Sequence, residues 1–179
     1  MGVNPFQEFF RYNRWADARV FKVCERADAA LLTIDAAGTN GTVLSTLAHM
    51  CSTSEGFAAL LRRATGGSGA SGEAAGFLVT PTGLADGYHD HHLGWYAERV
   101  SYLDSFFYDL IDRLDSAGLE QQVEVPWFRF SISVQQILTQ VLVHCGHHRS
   151  QVFSALGAQR IQVPDLDYIV MLAKERAGT

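Results

Sequence analysis

Cysteine is scarce in this chain of 179 residues. Cys24, Cys51 and Cys145 are odd in number and no two have Cys-x-x-Cys spacing, so neither a disulfide framework nor a thiolate zinc site is implied. Each reads as a small buried hydrophobe. Long apolar runs are missing too, and none approaches the roughly 20 residues needed to cross a bilayer. A basic segment followed by an apolar one is absent from the N-terminus, which makes a secretory signal unexpected and the cytoplasm the expected compartment. Net positive charge is lacking: the formal charge is −5. The basic residues are scattered, with Arg62-Arg63 the one adjacent pair, which argues against a general nucleic-acid surface. No Glu is followed three residues later by His, so the Glu-x-x-His motifs of a ferritin-like di-iron centre are excluded. There is no internal repeat and no second core. With 47% hydrophobic and 18% charged residues, the chain reads as one globular domain over residues 1–179, long enough to bury a core without staples.

What is present is helical periodicity. Asn4 and Pro5 open a first helix expected to run to about Leu32, with Phe6, Phe9, Phe10, Asn13, Ala16, Val20, Val23 and Cys24 along one stripe. A second helix fits Thr42 to Thr65, and a glycine- and serine-rich loop follows over residues 65–76. Pro81 and Gly83 keep the next stretch irregular, and a third helix fits about Leu84 to Ser116. Residues 121–133 alternate apolar and polar on both sides of Pro126-Trp127, the pattern of a short two-stranded ribbon. Ser133 can cap a fourth helix reaching about Leu156, with Gly157 expected as its left-handed end, and a short last helix follows from Leu166 to Ala177. The expected architecture is all-α: a four-helix bundle with a β-ribbon before the fourth helix and a short C-terminal helix.

The chemistry concentrates in the fourth helix, in Val-Leu-Val-His144-Cys-Gly-His147-His148-Arg149-Ser-Gln151-Val. His144 and His148 are four apart, which puts them on one helical face with Cβ atoms about 5–6 Å apart, close enough for both imidazoles to reach one metal ion. Ile137, Val141, His148, Val152 and Ala155 share an apolar stripe with His144 at its edge, while His147 points to the flank. Buried imidazoles need hydrogen-bond partners or a metal. A hydrogen-bonded core pair satisfies that demand as well as a metal does, and a catalytic metal needs a third ligand. His49 sits at the edge of the second helix's apolar face, where periodicity neither supports nor excludes an inward pose. His89, His91 and His92 lie among polar neighbours and read as solvated.

These features, taken in order, resemble the DinB/YfiT-like superfamily of bacterial helical-bundle proteins. Phe10-Arg-Tyr12-Asn13-Arg-Trp15-Ala16 is similar to its first-helix pattern, and Leu47-Ala-His49-Met to its second-helix signature. His144-x-x-x-His148-Arg149-Ser150-Gln151 resembles its His-x-x-x-His-Arg-Gly-Gln motif, with Ser150 departing from the usual glycine. The segment from Gly157 to Pro164-Asp165-Leu166-Asp167-Tyr168 is similar to the stretch that closes the family's chains. The resemblance implies a DinB/YfiT-type bundle in which His49, His144 and His148 ligate one divalent metal, with zinc or nickel foremost and iron, manganese or copper open, since imidazole suits many of these. It further implies a homodimer. The activities it suggests are thiol S-transfer with a low-molecular-weight thiol as the small-molecule partner, or hydrolysis; the alternative is a non-catalytic, stress-associated metal-binding bundle. Hydrolysis normally wants a general base beside the metal, and Glu55, the nearest carboxylate of the second helix, projects away from His49 on helical angles. Arg149 is expected to pair with a carboxylate and Gln151 to fix a ring or a helix contact. Tyr12, Asn13 and Trp15 are read as core or cavity lining.

Overall fold

A computed structural model describes residues 4–36, 38–66 and 91–178 of the chain. The first long helix, α1, spans Pro5–Arg26 and is capped by the Asn4 side chain, which accepts from the Phe6 amide. It ends six residues short of the expected Leu32. Ala27 turns extended, and the Asp28 carboxylate caps a new helix, α2 (Ala29–Leu32), by accepting from the Ala30 amide. A capping carboxylate thus divides a stretch whose apolar spacing reads as continuous.

The second long helix, α3 (Val43–Ala64), opens with a reciprocal capping box: the Thr42 hydroxyl accepts from the Ser45 amide, and the Ser45 hydroxyl accepts from the Thr42 amide. The third, α4 (Leu93–Arg113), begins at His92, whose Nδ1 accepts from the Trp95 amide. The expected start near Leu84 lies outside the described residues, as do Pro81, Gly83 and all but the beginning of the glycine-rich loop. Its expected end at Ser116 is corrected: Leu114 is extended and Asp115 caps a separate turn, α5 (Ser116–Glu120).

The ribbon is present. Strands β1 (Gln122–Val125) and β2 (Phe130–Ser133) pair antiparallel, Gln122 opposite Ser133 and Val125 opposite Phe130. Pro126 stands just past the last ladder residue, where its missing amide hydrogen costs no pairing. The Phe128 and Arg129 amides both donate to the Val125 carbonyl, and Arg129 takes the left-handed conformation with φ 57°. The last long helix, α6 (Val134–Ala158), follows with its own capping box between Ser133 and Gln136.

At the end of α6 the expected left-handed Gly157 is corrected: the helix runs on to Ala158, and Arg160 adopts the positive φ of 62°. The Ile161 amide donates to the Leu156 carbonyl and the Arg160 amide to that of Gly157, which together satisfy the helix's orphan carbonyls as a Schellman motif. Ile161 packs on the core, so its burial favours this stop one turn beyond the glycine. The short α7 (Tyr168–Ala177) starts two residues after the expected Leu166 and is tied to α1 through the Tyr12 hydroxyl, which donates to the Leu166 carbonyl.

The four long helices form a ring in which α1 and α3 are each flanked by α4 and α6. Phe10, Leu47, Met50, Leu61, Tyr96, Leu103, Phe107, Ile137, Leu138 and Leu156 fill the centre. The ribbon closes one end, with Trp127 packed edge-on against Phe57 of α3 at 5.8 Å between ring centres. The fold is therefore all-α with a small antiparallel sheet before α6, and no helix among the described residues is long and apolar enough to cross a membrane.

Candidate metal centre

The α3–α6 pairing brings His49, His144 and His148 together. The Nε2 atoms of His144 and His49 are 3.2 Å apart, and those of His148 and His144 are 3.1 Å apart. All three rings pack mutually, with centres 5.0, 4.7 and 4.3 Å apart. Among the described residues this is the one group of three or more His, Cys, Asp or Glu side chains whose donor atoms converge. His148 is buried, while His49 and His144 are half-buried at the edge of the core.

Protonation decides which ring nitrogens can serve as ligands. His148 Nδ1 lies 2.6 Å from Gln151 Oε1, and a carbonyl oxygen only accepts, so Nδ1 carries the proton. Burial pushes the His148 pKa down to about 4 against that hydrogen bond, and the His49 and His147 rings push the same way. The ring is therefore neutral near pH 7 and its Nε2 presents a lone pair to the centre. His144 is lowered further, to about 3, by burial and then by its neighbours His148, His49 and His147. Its Nδ1 is buried with no partner among the described residues. A neutral His144 has one ring proton; with it on Nδ1, the Nε2 lone pair faces the Nε2 atoms of His49 and His148, an arrangement that one cation satisfies.

The spacing fits the same conclusion. Two imidazole nitrogens about 2.0–2.1 Å from one ion are separated by about 3.3–3.4 Å at a tetrahedral angle and about 2.8–3.0 Å at a right angle. The observed 3.1 and 3.2 Å fall between these values. The donor set is three imidazole nitrogens, a ligand type that holds a divalent metal ion without cancelling its charge.

The other histidines fall elsewhere. His147 is exposed on the flank of α6, as its phase requires. His92 is an exposed cap. His91, expected to be solvated, is instead half-buried and stacked on Trp95 with ring centres 3.7 Å apart, because the first turn of α4 gives its flat face an indole to cover. His89 lies outside the described residues.

Glu55 stays out of the site. It is fully buried and accepts from Arg62 at 3.0 Å and from Arg99 at 2.8 Å. The three cysteines are buried and unbridged. Burial pushes the thiols of Cys24 and Cys145 up to about 12, so they are inert neutral groups rather than nucleophiles. Tyr12 and Trp15 stack on each other on the α7 side of α1, and Tyr12 meets Tyr168 edge-on.

Sequence reasoning missed what lies on the other face of α6. Arg149, only 4% exposed, donates through Nη1 to Asn13 Oδ1 and Asp17 Oδ1, both at 2.7 Å. Asn13 Nδ2 in turn donates to Asp17 Oδ2 at 2.8 Å and Asp104 Oδ1 at 2.9 Å. Burial opposes the Arg149 charge, but Asp17 more than offsets it and keeps the guanidinium protonated. Asp104 has no cation of its own in this network. Burial, then the Asp17 charge, push its carboxyl well above the ordinary range. The available signal was Asn13 and Asp17 four residues apart within the apolar stripe of α1, since two polar groups facing a core need partners. Through Arg149 the network fixes the rotation of α6 against α1 and α4, which aims the adjacent His148 at α3.

Comparison with known proteins gives one match: the sequence model of the DinB family aligns with residues 1–174. No curated protein and no solved structure matches the chain.

Proposed function

The chain belongs to the DinB family, and from that premise we propose that it holds one divalent metal ion on His49, His144 and His148 and acts as a metal-dependent thiol S-transferase. The observation carrying this reading is the convergence of three imidazole nitrogens with no carboxylate or thiolate among them in the described residues. A structural zinc normally closes its shell with four protein ligands, whereas a catalytic one keeps a position for substrate. Three ligands favour the second kind. A divalent ion held this way lowers the pKa of a thiol or water that joins it.

The protein's own share is positioning and charge. Gln151 fixes the His148 ring and keeps its proton on Nδ1, the role that partners of metal-bound imidazoles commonly play. Burial keeps His144 and His148 neutral, so protons do not compete with the ion near pH 7. Thiol transfer is favoured over hydrolysis because Glu55, the carboxylate on the same helix as His49, is committed to Arg62 and Arg99. A thiol that ionises on joining the ion needs no such base.

The test has two stages. Metal content is measured for His49→Ala, His144→Ala and His148→Ala, with His147→Ala as control. The first three are expected to lose stoichiometric metal and the control to keep it; metal retained by all four overturns the site. The metal-loaded protein is then assayed for conjugation of bacillithiol, mycothiol or glutathione to electrophiles. No turnover with any thiol, with metal tightly held, replaces the transferase by the non-catalytic bundle.

A further inference from the structure

The basic residues, scattered in sequence, are gathered in space. Arg19, Lys22 and Arg26 fall three and seven positions apart on α1 and so share one face of it. Together with Lys174 of α7 they line an open cleft of about 590 Å³, whose remaining wall includes Gln162 and Pro164 from the strand-like connection between α6 and α7. Four of the chain's 14 lysines and arginines therefore meet in one concavity of a protein with a net charge of −5. Among the described residues no carboxylate lines it; Lys22 also borders the adjoining groove between α1 and α4, where Asp17 and Glu25 lie. Neither Lys22 nor Arg26 forms an ion pair with a described residue. Arg19 is held in place by the Trp15 indole, with its guanidinium carbon 3.9 Å from the ring centre and Nη1 donating to the Trp15 carbonyl at 3.2 Å.

The helix dipoles favour Arg26 and Lys174 in the last turns of α1 and α7, and the mutual repulsion of four like charges in one cleft is what a bound anion would offset. The volume is that of a small-molecule site, typically about 300–1,000 Å³. The Arg26 guanidinium supplies a planar fork that matches the paired oxygens of a phosphoryl group, and Arg19, Lys22 and Lys174 add positive charge around it. Nucleic acid fits poorly, because its binding needs a basic stripe that follows a backbone, and this basic surface is one cleft on an acidic protein. We propose that the cleft between α1 and α7 binds a small oxyanion carrying two or more negative charges, a phosphate or pyrophosphate group, at a site separate from the three histidines.

The test is calorimetric titration of the full-length protein with inorganic phosphate and inorganic pyrophosphate at fixed ionic strength. Saturable binding is expected, tighter for pyrophosphate. The double variant Lys22→Gln/Arg26→Gln is expected to weaken pyrophosphate about tenfold or more. Arg113→Gln/Arg129→Gln removes the same charge elsewhere on the exposed surface and is expected to change it by less than about twofold. Because pyrophosphate also binds metal ions, the titration is repeated on His144→Ala, where undiminished binding is expected. No saturation at millimolar pyrophosphate, equal weakening by both double variants, or loss of binding in His144→Ala each overturns the proposal.

Discussion

Two of the polar clusters inside this apolar bundle meet α6, one residue apart. Through His148 the helix faces α3 and the imidazole triangle; through Arg149 it faces α1 and α4 and the network of Asn13, Asp17 and Asp104. In the network the buried groups pair with one another: Arg149 Nη1 donates to Asn13 and Asp17, and the Asn13 amide to both aspartates. In the triangle three ring nitrogens converge on one another, and a buried nitrogen of His144 has no partner among the described residues. A cluster that closes on itself orders the fold, whereas one that closes only around something else is built to receive it. The difference separates scaffold from site without appeal to which residue types are present.

The comparison predicts unequal costs. Arg149→Met strands the buried Asp17 carboxylate, and chemical denaturation is expected to show a loss of about 3–5 kcal/mol. A loss below about 1 kcal/mol in that variant would mean that the network is not the scaffold claimed here. Next in size is metal removal. Chelation of the loaded protein is expected to cost about 2.7 kcal/mol if the free ion stood at a hundred times its dissociation constant, and to cost nothing in His49→Ala. Gln151→Leu frees the His148 ring without touching its inward nitrogen and is expected to weaken metal affinity by about 10–100-fold, read by competition with a chromophoric chelator.

The smallest effect is the most diagnostic, because pH moves the two clusters in opposite directions. His144 and His148 have folded pKa values of about 3 and about 4, below the ordinary 6.5. Between those values the unfolded chain takes up protons that the folded metal-free protein refuses, so their contribution to stability is lost as pH falls from 6.5 toward 3. Asp104 is raised, so the folded state binds its proton more tightly and stability is lost as pH rises above the ordinary 3.8. Asp104→Asn is therefore expected to gain on the wild type as pH increases from 4 to 7, measured by thermal unfolding of metal-free protein. A variant that instead loses ground to the wild type over that range reverses the assignment.

These asymmetries explain what could be read from sequence. The four long helices and the ribbon follow from local periodicity, and His144 and His148 from spacing within one helix. His49 came only through family resemblance, since its edge phase says nothing about which neighbour it meets. Arg149 was legible as a paired cation but not its partner, because Asp17 lies 132 residues away and no local pattern encodes that contact. The same holds for the basic cleft, whose four cations belong to α1 and α7. The break after Arg26 was missed because apolar spacing carries across it, and the stop at Arg160 because Gly157 reads as a left-handed end although the helix runs on through it. One depends on a single carboxylate cap, the other on how Ile161 packs.

The two capping boxes have a consequence of a mechanical kind. Only α3 and α6, the helices that supply the ligands, carry them among the described helices. Each cap is a zero point from which angular position is counted, at about 100° per residue. His49 stands seven residues from its zero and His144 eleven from its own. One residue inserted between Thr42 and His49 would swing that ring a quarter-turn or more away from its partners. One added at the ribbon's turn, upstream of Ser133, leaves the count on α6 untouched. The chain thus has tightly toleranced lengths beside loosely toleranced ones, and the caps mark where one gives way to the other.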